Sequence, residues 1–189
     1  MDTWAWIAIA AAIVVVLLLA WALSSQARRR KLLSHFGSEY TRTIHRADSR
    51  RKGERDLRAR EAEHDDLDLR PLSEEARDRY EEQWNRLQMR FVDRPQVAVA
   101  DADSLLTEVM RERGYPVDDF DAKSRAVSVD HPDAVENYRK GHLIFIKTVE
   151  GRASTEDLRQ AVLCYRDLFD DLVWEGAAEV AEAEADADA

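Results

Sequence analysis

Only one cysteine, Cys164, occurs in the 189 residues, so no intramolecular disulfide can form, and a chain of this size needs none to hold a core. That suits a reducing compartment. Cys164 falls on an apolar helical pattern, where a small packing residue is expected rather than a reactive thiol. Glycine is also scarce, at six. There is no phosphate-cradling glycine loop, and no G-x-S-x-G turn of the kind that presents an activated serine. Sustained alternation of apolar and polar residues with hairpin turns is missing too. The short runs 97–99 and 143–146 sit inside helical patterns, which leaves an all-α chain.

The five histidines never form Glu-x-x-His or His-x-x-x-His. His35, His45 and His64 are 10 and 19 residues apart, and His131 and His142 are 11 apart across a helix start, too far to share one ion. No metal and no other cofactor is therefore expected. Carboxylates are plentiful, but they sit on polar faces with arginine at i,i+4, as solvated surface does, so no catalytic residue is expected.

Against these absences stands one long apolar run. Residues 4–23 are 20 consecutive apolar residues. At about 1.5 Å per residue, such a helix is roughly 30 Å long, the thickness of a bilayer's hydrocarbon core. Met1, Asp2 and Thr3 before it carry no cation, whereas Arg28, Arg29, Arg30 and Lys31 follow it closely. Excess Lys and Arg mark the cytoplasmic flank. The expected topology is a single-pass transmembrane helix at the cell membrane, with residues 1–3 outside and the bulk of the chain cytoplasmic. Trp4, Trp6 and Trp21 sit where indole rings favour the interface. The alternative is a cleaved secretory signal, for which 22–24 (Ala-Leu-Ser) is a passable small-x-small site. Such a signal usually has cations before a shorter apolar stretch.

Charge is uneven along the remainder. Residues 24–70 carry 13 Lys/Arg against 9 Asp/Glu, while residues 71–189 carry 15 against 28, a net of −13. A basic stretch next to the membrane gains about 1 kcal/mol per well-placed cation from anionic headgroups. The acidic distal part is repelled by that surface and by nucleic acid, so no nucleic-acid partner is expected.

Residues 24–70 form the juxtamembrane region. Leu33, Phe36, Tyr40, Ile44 and Ala47 make a narrow apolar stripe, and a long charged helix is expected over about 30–62, followed by a break near 65–71. The stripe suits self-association or packing on the rest of the chain. Residues 71–175 form a compact helical bundle of about four to five helices. Ser73 caps a helix with the stripe Ala76, Tyr80, Trp84, Leu87 and Phe91, ended near Pro95. A second helix, about 97–113, ends at Gly114 and Pro116, and a short one lies within 118–129. Asp130-His131-Pro132 reads as a cap with proline in the first turn of a helix reaching about Glu150, whose inward stripe is Val135, Tyr138, Leu143, Ile146 and Val149. Ser154 and Asp157 resemble a capping box, before the regular stripe Leu158, Ala161, Val162, Tyr165, Leu168, Phe169 and Leu172. Residues 176–189 alternate Ala with Glu or Asp and are expected to be a disordered acidic tail.

Two junctions are denser in special residues than packing alone requires: 114–120 and 128–132, the latter with the following Tyr138, Arg139 and His142. Each junction needs a cap, a stop and an apolar plug, which accounts for much of this. If the junctions meet, Tyr115, Pro116, Asp119, Phe120, His131, Tyr138, Arg139 and His142 would make a partner-binding face, rich in the aromatic and arginine side chains that anchor interfaces.

The segments Phe36-Gly37-Ser38-Glu39-Tyr40, Leu69-Arg70-Pro71-Leu72, Arg77-x-Arg79-Tyr80 with Trp84, and Phe91-Val92-Asp93 carry a resemblance. So do Arg113-Gly114-Tyr115-Pro116, Ser128-Val129-Asp130-His131-Pro132, Tyr138-Arg139 and Thr155-Glu156-Asp157-Leu158-Arg159-Gln160. Over about 32–172 the chain resembles an uncharacterised bacterial family, common in actinobacteria, of single-span or "secreted" hypothetical proteins. The resemblance implies this architecture and no established activity, cofactor or ligand. The expected function is a membrane-anchored, non-enzymatic interaction or scaffold module with the lipid bilayer and a protein, or a second copy, as partners. The alternative is an exported helical domain that binds a small ligand or assists an enzyme.

Overall fold

The computed structural model describes Gln26, Arg30 and residues 32–177. The apolar run 4–23, the cations Arg28, Arg29 and Lys31, and the acidic segment from 178 onwards lie outside the described residues, as does the short tail 1–3. Among the described residues there are only helices, and none is long and apolar enough to cross a membrane. The helices are α1 (32–46), α2 (Arg50–Asp65), α3 (Glu74–Asp93), α4 (Pro95–Arg113), α5 (Phe120–Asp130), α6 (Ala134–Val149) and α7 (Thr155–Trp174). The chain divides into two compact units between Leu57 and Arg58, inside α2.

In the first unit the single charged helix expected over 30–62 is two helices. The backbone bends at 47–49, and the Ser49 hydroxyl accepts from Lys52 N at 3.3 Å in the manner of an N-cap. This break returns α2 alongside α1. Tyr40 donates to Glu54 Oε1 at 3.1 Å, and a Cβ on Gly53 would stand 2.8 Å from the Ile44 side chain. The apolar stripe of α1 thus meets α2, and a lone helix would have left Phe36 and Tyr40, both buried here, in water.

In the second unit α7 packs against α6 and α4, and α4 also packs against α3. The sequence stripe of α7 is the buried one: Leu158, Ala161, Tyr165, Leu168, Phe169 and Leu172 are all inside, with Val162 half-buried. Cys164 is buried with them. The capping box forms, Ser154 Oγ accepting from Asp157 N at 3.1 Å while the Asp157 carboxylate accepts from Ser154 N at 2.9 Å. On α3, Ala76, Tyr80, Trp84 and Leu87 face the core, and Trp84 stacks on Phe169 with ring centroids 4.6 Å apart. Pro95 opens α4 rather than standing before it. At the first helical position its missing N–H costs nothing.

Two expectations fail around α6. Asp130 is the last residue of α5, and α6 begins at Ala134, so Asp130-His131-Pro132 is a helix connection and not a cap. The Asp130 carboxylate is engaged elsewhere, by Tyr115 and His64. The expected inward stripe of α6 holds at Val135 and Tyr138 and fails beyond them. Ala134, Val135, Tyr138 and Gly141 are buried, whereas Leu143, Ile146 and Val149 are exposed. Gly141 sets this orientation, because a Cβ there would lie 2.9 Å from the Tyr165 ring. The helices approach at the glycine, and large neighbours one step round the helix are turned to solvent.

Gly141→Ala therefore sets two effects against each other: about 1 kcal/mol gained in helix propensity and an overlap with a buried ring. The ring is pinned, so the substitution is expected to destabilise the fold, and Leu143→Ala to change stability by less than about 0.5 kcal/mol. Urea-unfolding midpoints of the detergent-solubilised chain check both. A stable Gly141→Ala alongside a damaged Leu143→Ala would restore the stripe expected from sequence.

Candidate functional site

Three clusters of polar and aromatic side chains lie around the two junctions singled out in the sequence, and the first and third of them bring the junctions together. The first is built on Gly114, which ends α4 in the left-handed region at φ 96°. A side chain there would also collide with the Asp68 carbonyl, 2.4 Å from where a Cβ would stand. The turn is held by Tyr115 N donating to Met110 O at 2.9 Å and Arg70 N donating to Arg113 O at 3.0 Å. It delivers Tyr115 into the interior, where its hydroxyl donates to Asp130 Oδ2 at 2.7 Å. His64 Nε2 lies 2.6 Å from the same oxygen. Burial, together with the adjacent Asp130 carboxylate, pushes the Tyr115 phenol far above its ordinary value, so it stays a neutral donor.

The second place is the end of α7. Arg113 is buried, and its guanidinium donates to Leu172 O at 3.0 Å and to Arg70 O at 3.4 Å. It pairs with Glu175 Oε2 at 2.6 Å. His131 approaches the same carboxylate, with Nε2 at 3.2 Å, and Asp171 Oδ2 lies 3.5 Å from its Nδ1. A cation belongs here, since the last carbonyls of a helix carry partial negative charge. His131 and Arg113 beside Glu175 hold its carboxyl down to about 2, against the effect of burial. For Asp171 burial prevails over the His131 imidazole, and its carboxyl is pushed up.

At the third place α4, α5, α6 and α7 bring polar groups together. Asp103 Oδ1 accepts from the Tyr165 hydroxyl at 2.9 Å, and His142 Nδ1 lies 3.5 Å away. Burial would raise the Asp103 carboxyl, but His142, Tyr165 and the charge of Lys123 hold it below its ordinary value. Lys123, itself buried, donates to Thr107 Oγ1 at 2.9 Å. The other side of His142 is covered by Phe120, stacked at 3.7 Å between centroids, and Phe120 also contacts Tyr138 at 5.1 Å. The Tyr138 hydroxyl is buried without a hydrogen-bond partner, and burial pushes its phenol far up. A carboxylate, an imidazole and an amine are the parts of acid–base chemistry; here the carboxylate accepts from Tyr165, the amine donates to Thr107 and the imidazole stacks on Phe120.

The residues expected to form a face are therefore distributed. Tyr115, His131 and Tyr138 are buried, Phe120 and His142 are half-buried against each other, and Arg139 is half-buried on α6. Pro116 and Asp119 line a cavity of about 410 Å³ with Leu67, Ala122, Ala126 and His64. Arg60 and Arg125 border it, Arg60 bonding Ser128 Oγ at 3.4 Å and Arg125 pairing with Glu63 at 3.1 Å. Asp103, Lys123, Tyr165 and His64 were not identified from sequence. Their spacing carries no motif, and only Arg113, just before the capping Gly114, had a local signal. Among the described residues no group of three or more His, Cys, Asp or Glu is arranged to hold a metal.

The depressed Glu175 carboxyl has a pH consequence. Its folded value lies below its ordinary value of 4.5, so its contribution to stability is present above that value and lost as pH falls towards about 2. The melting temperature of the wild-type chain should fall over that window, and Glu175→Gln should start lower and fall less. Parallel curves for the two would show that Glu175 is not held by the α7 end. Compared with family models, characterised proteins and solved structures, the chain matches none.

Proposed function

We propose that the chain is a single-pass membrane protein whose apolar run 4–23 anchors a non-enzymatic helical interaction module, with the N-terminus outside and the helical units in the cytoplasm. The observation that carries this reading is the pairing of 20 uninterrupted apolar residues with four cations on one side only. A helix is the cheapest way to place that run, because lipid offers no partner for exposed backbone groups. Arg28, Arg29, Arg30 and Lys31 orient it. The resemblance to single-span bacterial proteins supports the same architecture.

The module reading draws on how the polar interior is used. Tyr115 with Asp130, Arg113 with Glu175, and Tyr165 with Asp103 are bonded pairs that tie helices together, which supports a binding scaffold more than a reaction centre. The accessible part of the expected face is the cavity by Pro116 and Asp119, where Leu67, Ala122 and Ala126 supply apolar wall and charged groups of both signs stand around them. Such a lining suits a protein segment bearing an apolar side chain. Its volume of about 410 Å³ also favours the second reading, an exported domain that takes a small ligand.

Reporter fusions at the C-terminus separate the two. A fluorescent protein that matures only in the cytoplasm should light up there, and alkaline phosphatase, active only after export, should stay silent. Phosphatase activity with a dark fluorescent fusion would overturn the cytoplasmic assignment and leave the exported reading.

A further inference from the structure

Among the described residues, the outer face of α6 is covered by no other helix of its unit. Leu143 is 61% exposed, Ile146 41% and Val149 73%, three large apolar side chains within two turns. Leu143 and Ile146 occupy the middle of the outer face, about 60° apart around the helix. Lys140 and Lys147, both exposed and two turns apart, run in line along one flank, whereas Val149 stands at the end of α6 nearly in line with the buried Tyr138. The 13 residues 137–149 include no carboxylate, the longest such run within 71–177, in a part of the chain that is otherwise strongly acidic. Glu136 and Glu150, seven residues either side of Leu143, stand at the two ends of this stripe; Glu150 pairs with Arg152, Glu136 has a partner of its own, and Asp157 lies near Lys147. Leu163 borders a groove with Phe91 and Arg159, and Arg159 is paired with Glu156, so the sign of an occupant is not set there.

We propose that the outer face of α6 is a second membrane contact, lying flat on the anionic cytoplasmic leaflet. Leu143 and Ile146 enter the headgroup boundary, and Lys140 and Lys147 meet lipid phosphates. An apolar strip flanked by lysine is the make-up of helices that lie in the plane of the interface. The net charge of −13 over 71–189 argues for a domain that stands off the surface. Charges more than about 8 Å from the surface are screened at physiological salt, however, so the sign of the face that touches decides. The inference rests on the membrane attachment proposed above.

The test uses the full chain, one copy per lipid nanodisc, in phosphatidylcholine alone or mixed with phosphatidylglycerol. A polarity-sensitive fluorophore is placed at Leu143→Cys, and in a second variant at Ile146→Cys, both in a Cys164→Ala background, with helicity checked by circular dichroism. The expected result is blue-shifted emission, quenched by spin-labelled lipid, only in the discs containing phosphatidylglycerol. Adding Lys140→Glu and Lys147→Glu should lower the docked-to-undocked ratio about tenfold or more. Water-like emission in both discs, or an equal shift without phosphatidylglycerol, overturns the proposal. A shift that requires two chains in one disc assigns the face to a second copy and overturns it equally. A chain that does not enter discs at all defeats the anchor reading itself, which separates the two failures.

Discussion

The helical unit from Arg58 onward depends on one buried cation. Arg113 sits at the end of α4 with its guanidinium against the Leu172 and Arg70 carbonyls and the Glu175 carboxylate. An arginine left unpaired in such a place costs several kcal/mol, on the order of half a small domain's stability. The planar fork meets the requirement because it reaches three acceptors on two other chain segments at once. Gly114 makes this possible: by turning the backbone at a positive φ it lets the preceding arginine stay inside while Tyr115 enters beside it. The connection 66–73, the α4 end and the α7 end are thereby joined by side-chain bonds to backbone.

A second polar group works by the same rule. Asp103 gathers Tyr165 and His142, and this holds the tyrosine ring over which Gly141 brings α6 close to α7. Aromatic stacking of Phe120 on His142 closes the side towards α5. The interior therefore combines apolar stripes, which are tolerant of small slips, with directional bonds between helices, which are not. The Tyr138 hydroxyl, buried without a partner, is the exception in an otherwise satisfied set of phenols.

Much of the helical order was legible in the sequence, because burial against one partner leaves a period of 3.6. α7 is readable throughout, since α4 and α6 cover one continuous stripe, and the Ser154 box and Gly114 are local chemistry that acts within four residues. The stripe on α6 was misread because hydrophobicity alone selects Leu143, Ile146 and Val149, while the actual contact is a glycine, whose contribution is the absence of a side chain. The bend at 47–49 was missed for a related reason: the charges from Asp48 onward mask any period, and the close approach again occurs at a glycine, Gly53. Asp130 looked like a cap because a cap and a long-range acceptor are the same residue type. His64, 66 residues away, is the partner that distinguishes them. Of the site, the helix ends were visible and their cross-chain partners were not.

These features separate what the sequence makes conspicuous from what a partner can reach. Tyr115 and His131 are drawn into the joint around Arg113, while Pro116, Asp119 and the outer face of α6 remain at the surface. The most direct measurement is hydrogen–deuterium exchange on the full chain with Arg113→Met, which keeps the bulk and removes the charge. Amides of 68–72 and of 171–175 are expected to lose protection together while the middle of α3 keeps its own. Wild-type protection in either segment would contradict the joint on which this account rests.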